Sequence, residues 1–173
     1  MTQVAEDTED NVGQDNDLIT HALSDGSLSV KKTWALVTEF WSGRPFGDLR
    51  PLVESQVVEL AHIAALVLAE MGSGVYSGVS ASEREQALDL VDTLLESSHG
   101  CTVADGFDVV LCCPGERDAY FVGKLIDRAI EGTLPADVLV DRLGMLSPER
   151  KQLVLEQLST SHRKYLDEVG FGW

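Results

Sequence analysis

The sequence predicts a mainly α fold, a compact orthogonal or up-down multi-helix bundle with at most one short extended segment. Three observations lead there. Residues 52–71 (LVESQVVELAHIAALVLAEM) contain no Gly or Pro, and from Ala61 to Ala69 the only polar side chain is His62. Helical rise gives such a stretch a length of about 30 Å, the width of a small domain. Apolar residues recur at helical spacing in several further segments. Compact Gly- or Pro-containing turns separate these segments, a pattern suited to antiparallel helices. Six helices are expected, in a single domain over residues 18–173.

Residues 1–17 carry Glu6, Asp7, Glu9, Asp10, Asp15 and Asp17 with no Lys or Arg. So little apolar surface cannot offset the entropy of folding, and an acidic disordered tail is expected. Residues 29–41 read as an amphipathic helix with Val30, Trp34, Val37 and Trp41 on its packed face and Phe40 beside them. Ser42 to Gly47 breaks that helix, and Pro51 opens the central one. Residues 71–78 form a Gly- and Ser-rich connection without the Gly-Lys-Ser/Thr ending of a phosphate loop.

Ser80 or Ser82 caps the next helix, with Glu83 or Glu85 as the capping-box acceptor. Ala87, Leu88, Val91, Leu94 and Leu95 mark its core face, and Asp89, Asp92 and Glu96 its acidic one. Phe107 to Cys113 has the β-branched and apolar content of one short strand, ended by Pro114-Gly115. Residues 116–131 again have helical periodicity, with Arg117, Lys124 and Arg128 on roughly one side. A shorter helix follows Leu134-Pro135. A last one starts at Ser147-Pro148 and runs to about Val169.

Charge bounds the function. The chain of 173 residues has 29 acidic and 13 basic side chains, a formal charge of -16. Phosphate recognition needs clustered cations, so a broad nucleic-acid surface is not expected. A basic protein surface is the natural partner. Glu54, Glu59, His62 and Glu70 within residues 52–71 oppose a membrane-spanning reading. Cys101, Cys112 and Cys113 cannot all pair within one chain. No basic region followed by an apolar run opens the sequence, so reduced thiols and a cytoplasmic location are expected.

The leading functional reading is a non-enzymatic acidic protein-binding module, of the adaptor, inhibitor or immunity type. Glu83, Asp89, Asp92 and Glu96 are its candidate partner-binding residues, together with Trp173 at the aromatic C-terminus. No cofactor is expected. A second reading is a small zinc- or thiol-dependent protein built on His99, Cys101, Cys112 and Cys113, four chemically suitable zinc ligands. The adjacent Cys112 and Cys113 weaken it, because neighbours in a strand point to opposite faces. Glu59-x-x-His62 places a carboxylate and an imidazole on neighbouring turns, but no second such pair follows to complete a carboxylate-bridged metal bundle. A third reading is a DNA mimic or nucleic-acid-associated regulator, drawn from the acidity alone.

Overall fold

The computed structural model describes residues 17–72, 80–112 and 117–172. Among them the chain forms ten α-helical segments and no strand, a multi-helix bundle of the expected class. Side-chain chemistry sets the helix ends. Asp17 caps α1 (Leu18–Asp25) by accepting the Ile19 and Thr20 amides. The same carboxylate receives Arg44 at 2.7 Å, which ties the start of α1 to the segment after α2. α1 stops at Gly26, φ 73°, whose N–H returns to the Ala22 carbonyl at 2.8 Å. That left-handed turn suits glycine, which has no Cβ to clash.

Ser29 caps α2 (Val30–Trp41) by accepting the Lys32 amide. A 3₁₀ turn (Phe46–Leu49) then leads into α3 (Arg50–Val53). Ser80 and Glu83 close a full capping box on α5 (Ala81–Leu95): the Glu83 amide donates to Ser80 Oγ at 3.2 Å and the Ser80 amide to Glu83 at 2.7 Å. Reciprocal caps of this kind satisfy two amides that a helix start otherwise leaves unpaired.

Two helices expected to be continuous are broken. The central one divides after α3, and α4 begins only at Val58 and runs to Gly72 (Val58–Gly72). Ser55 Oγ accepts the Val57 amide at 3.1 Å, a local bond that competes with the helical ladder. The last helix divides into α9 (Pro148–Gln157) and α10 (Thr160–Glu168), with Leu158 extended between them. There Ser159 Oγ accepts the His162 amide at 3.2 Å and starts a new helix.

A second correction concerns the expected strand at 107–113. Gly100 to Cys112 is helix α6 (Gly100–Cys112), and Cys113 lies outside the described residues. α6 packs against both α4 and α5, and these are the most extensive helix contacts in the fold. Thr102, Val103, Ala104, Gly106, Phe107, Val109 and Val110 are buried between them. A helix covered on so much of its circumference carries a near-continuous apolar run, which periodicity cannot separate from a buried strand. Tertiary packing overrides the β propensity of Val109 and Val110.

α7 (Asp118–Ile130) lies against α5, α6, α9 and α10, and α8 (Ala136–Gly144) against α6 and α7. Arg150, at the start of α9, reaches back across this end of the bundle. It donates to Val110 and Leu111 carbonyls at 3.0 Å and grips Asp118 through two bonds of 2.7 and 2.8 Å. The last carbonyls of α6 thereby gain donors that the helix cannot itself supply.

A third correction concerns the aromatic stripe of α2. Leu36, Val37 and Phe40 form its buried face, whereas Val30, Trp34 and Trp41 are exposed. The helix is rotated from the expected orientation, and the indole of Trp34 stands at the rim of a groove.

Candidate functional site

Of the residues singled out for partner binding on α5, Asp89, Asp92 and Glu96 lie in one row that faces α7. Arg117 reaches Asp89 at 3.0 Å and Glu85 at 3.4 Å, and Lys124 reaches Asp92 at 2.7 Å and Glu96 at 2.8 Å. Tyr120 donates its hydroxyl to Asp92, and its ring lies under the Lys124 ammonium at 5.2 Å. Arg128 caps the end of α5 through the Glu96 and Ser97 carbonyls. The acidic face and the basic stripe legible in the sequence are therefore two sides of one intramolecular seam. Partial burial disfavours the Lys124 charge, but the bonds to Asp92 and Glu96 outweigh it and raise the ammonium pKa well above its usual value. Glu83 serves the capping box, whose bonds lower its pKa. Trp173 lies outside the described residues.

The four zinc-type residues do not converge. His99 precedes α6 and Cys101 sits exposed in its first turn, whereas Cys112 ends it. Eleven residues of helix separate the two thiols by about 16 Å along the axis, far beyond a shared coordination sphere. Cys113 is outside the described residues, and among the described ones no group of three or more His, Cys, Asp or Glu is arranged to hold a metal ion. Burial pushes the Cys112 thiol above its ordinary pKa, and the Asp108 and Glu70 charges add to it, the opposite of what a reactive thiolate needs. The His62 of the Glu59-x-x-His62 motif pairs instead with Asp105 of α6, Nδ1 to Oδ2 at 3.0 Å.

The concave feature best suited to recognition is an apolar groove between α2, α4 and the N-terminal half of α6, with a volume of about 470 Å³. That size falls within the range of small-ligand and anchor-residue pockets. Leu28, Val30 and Trp34 form one wall, and Ile63 and Leu66 the other. Val30 is 75% exposed and Trp34 44%. Adjoining large apolar side chains left this open to water mark recognition surfaces more often than scattered single ones do. Glu59, His62, Cys101 and Asp105 supply the polar rim.

The groove continues along α4. A smaller hollow of about 190 Å³ shares His62, Leu66 and Asp105 with it and extends to Glu70 and Asp108. Burial raises the Asp108 carboxyl pKa, and the nearby Asp105 and Asp141 charges add to that against the opposing pull of Arg142, 2.8 Å away. No Lys or Arg lines either part of the groove.

A second cleft, of about 500 Å³, lies between α7 and α10. Its charged groups are already paired: His162 Nε2 meets Asp127 at 2.9 Å, and Lys124 is held by α5. Gly123 floors it because a Cβ there would approach the His162 ring to 3.3 Å. It offers little unsatisfied chemistry to a ligand.

Sequence reading identified Glu59 and His62 as a polar stripe on the central helix but did not join them to Trp34 or Asp105. The available signal was Trp34 and Val30 on one turn-to-turn row of α2, assigned to the core. Comparison with known proteins adds no analogue: no protein-family model, curated protein or solved structure matches the chain. Among the described residues no helix is long and apolar enough to cross a membrane.

Proposed function

We propose that this protein is a non-enzymatic protein-binding module whose recognition surface is the groove between α2, α4 and α6. One observation carries the reading: of the large apolar side chains exposed among the described residues, Trp34 and Val30 are the two that stand together in the wall of an apolar groove of about 470 Å³. Trp lining a concave apolar patch is among the residue types that most often dominate interface energetics. The acidic row of α5 supports the reading less, since Asp89, Asp92 and Glu96 are engaged with α7. It contributes long-range steering of a basic partner, not an unpaired contact face.

The test is comparative capture. Immobilised wild-type protein, a groove variant (Val30→Asp with Trp34→Ser) and an α5 variant (Asp89→Asn with Asp92→Asn) are exposed to the same cell extract. Val30 and Trp34 are surface positions, and Asp is well tolerated in the first turn of a helix, so helicity by circular dichroism is expected to persist. A partner bound stoichiometrically by the wild type and the α5 variant but lost from the groove variant supports the assignment. Identical partners on all three proteins overturn it.

A further inference from the structure

We infer that the groove is built for one kind of partner segment, a basic amphipathic helix laid along α4 with its apolar face against Trp34, Ile63 and Leu66. The inference rests on the protein-binding reading above and adds the chemistry and shape of the occupant. Charge is the first argument. The two hollows share His62, Leu66 and Asp105 and have no Lys or Arg in their lining; Asp108 is held by Arg142 and Glu70 is itself engaged, so the carboxylates that carry the argument are those of Glu59 and Asp105. Glu59 makes no hydrogen bond or ion pair among the described residues, so its charge faces the groove rim unneutralised by the fold. Asp105 has only the His62 ring, a partner that carries no full charge when neutral. A cationic segment gains from these groups, and an acidic one is repelled by them.

Dimensions are the second argument. From Val58 to Glu70 the lining side of α4 extends about 18 Å, which is about three turns of a docked helix. Leu28, Trp34, Ile63 and Leu66 give the groove an apolar lining, and Glu59 and Asp105 belong to the same lining. An amphipathic helix presents the same cross-section in reverse, an apolar seam at i, i+3, i+4 and i+7 flanked by its charged face. An extended strand would instead seek an exposed sheet edge, and the described residues contain no strand. The seam's anchors meet Trp34 and Leu66, and its Lys or Arg side chains reach Glu59 and Asp105.

Synthetic peptides test this on the full-length protein, with tryptophan fluorescence and calorimetry as readouts. The probe is a four-turn Leu/Lys peptide with Leu at amphipathic helical spacing. Its controls are a Leu/Glu peptide of the same pattern and a Leu/Lys peptide interrupted by a central proline pair. The expected result is one-to-one binding of the helical Leu/Lys probe and neither control. Affinity should fall at least about tenfold in Glu59→Lys with Asp105→Asn, and similarly in Val30→Asp with Trp34→Ser. The α5 variant, which removes only distant steering charge, should lose no more than about twofold. Equal binding of the Leu/Glu or proline-interrupted peptide, lost in the Trp34 variant, overturns the basic-helix inference while keeping the groove as a protein-binding site. Leu/Lys binding that ignores the groove variants, or falls equally in the α5 variant, is diffuse attraction to an acidic molecule and overturns both. No binding of the Leu/Lys probe also overturns the basic-helix inference.

Discussion

Arg150 shows how much a single side chain contributes at one end of the bundle. Its side chain is 16% exposed and that of Asp118 15%, so their forked pair is largely shielded from water. The same guanidinium satisfies two carbonyls at the end of α6. Arg is suited to this because its planar fork serves several acceptors at once without losing its charge. Arg150→Met keeps the aliphatic stem and leaves Asp118 and both carbonyls without their donor. A loss of about 3 kcal/mol in urea unfolding is expected, because removing one member of a buried pair strands the other. Arg150→Lys should recover little of it, since one ammonium cannot reproduce the bidentate contact. The importance of Arg150 was not legible in the sequence. Ser147-Pro148 announced the helix start, but the partners of Arg150 lie more than thirty residues away, at positions only the fold brings near.

At the scale of elements, α6 decides the architecture through its contact with α5. Gly106 lets the two helices approach: a Cβ at that position would lie 2.9 Å from Leu94 Cβ and 3.5 Å from the Leu95 side chain. In isolation Gly→Ala stabilises a helix interior by about 1 kcal/mol. Overpacking a close helix contact costs about 1–3 kcal/mol, and Leu94 Cβ has no rotamer by which to move aside. Gly106→Ala is therefore expected to lower the melting temperature, while an exposed helical position would gain from the same change. A rise in melting temperature would show that α5 and α6 separate freely. The starts of α2, α5 and α9, each capped by a serine, were legible because such signals are local, and α7 was legible from its periodicity alone. The expected strand was not α6's true state because a helix buried on most sides erases the period that distinguishes it. The divisions at Ser55 and Ser159 each depend on one hydroxyl, a signal present in sequence but weak beside the apolar runs around it.

For the whole molecule, the acidic excess makes internal cations scarce, and three of them are placed along one seam. Arg117, Lys124 and Arg128 join α7 to α5, so separating these helices would leave Glu85, Asp89, Asp92 and Glu96 to repel one another. Lys124 gives this seam a pH dependence. Its folded pKa is raised above the ordinary lysine value of 10.5, so its contribution is fully present below pH 10.5 and is lost as pH rises through the folded value. Wild-type stability should decline in strongly alkaline solution, and Lys124→Met should show less of that decline while being less stable by about 1 kcal/mol at neutral pH. Thermal unfolding of the two proteins between neutral pH and pH 11 measures both effects. An identical alkaline slope in the variant would assign that decline to other groups.

The sequence by itself determined the helical class, most helix starts, the acidic character and the apolar stretch around which the bundle packs. These depend on local spacing, on caps within three or four residues of one another, or on composition. Only the tertiary structure decided which face of α2 was buried and which left Trp34 at a groove. It also paired the acidic face of α5 with a basic stripe on α7, and it set Cys101 and Cys112 at opposite ends of one helix. Each depends on helix rotation and on contacts between residues distant in the chain. The physical reason is that an amphipathic pattern defines a face but not its neighbour: a charged or aromatic side chain reads the same whether it meets water, another helix or a partner.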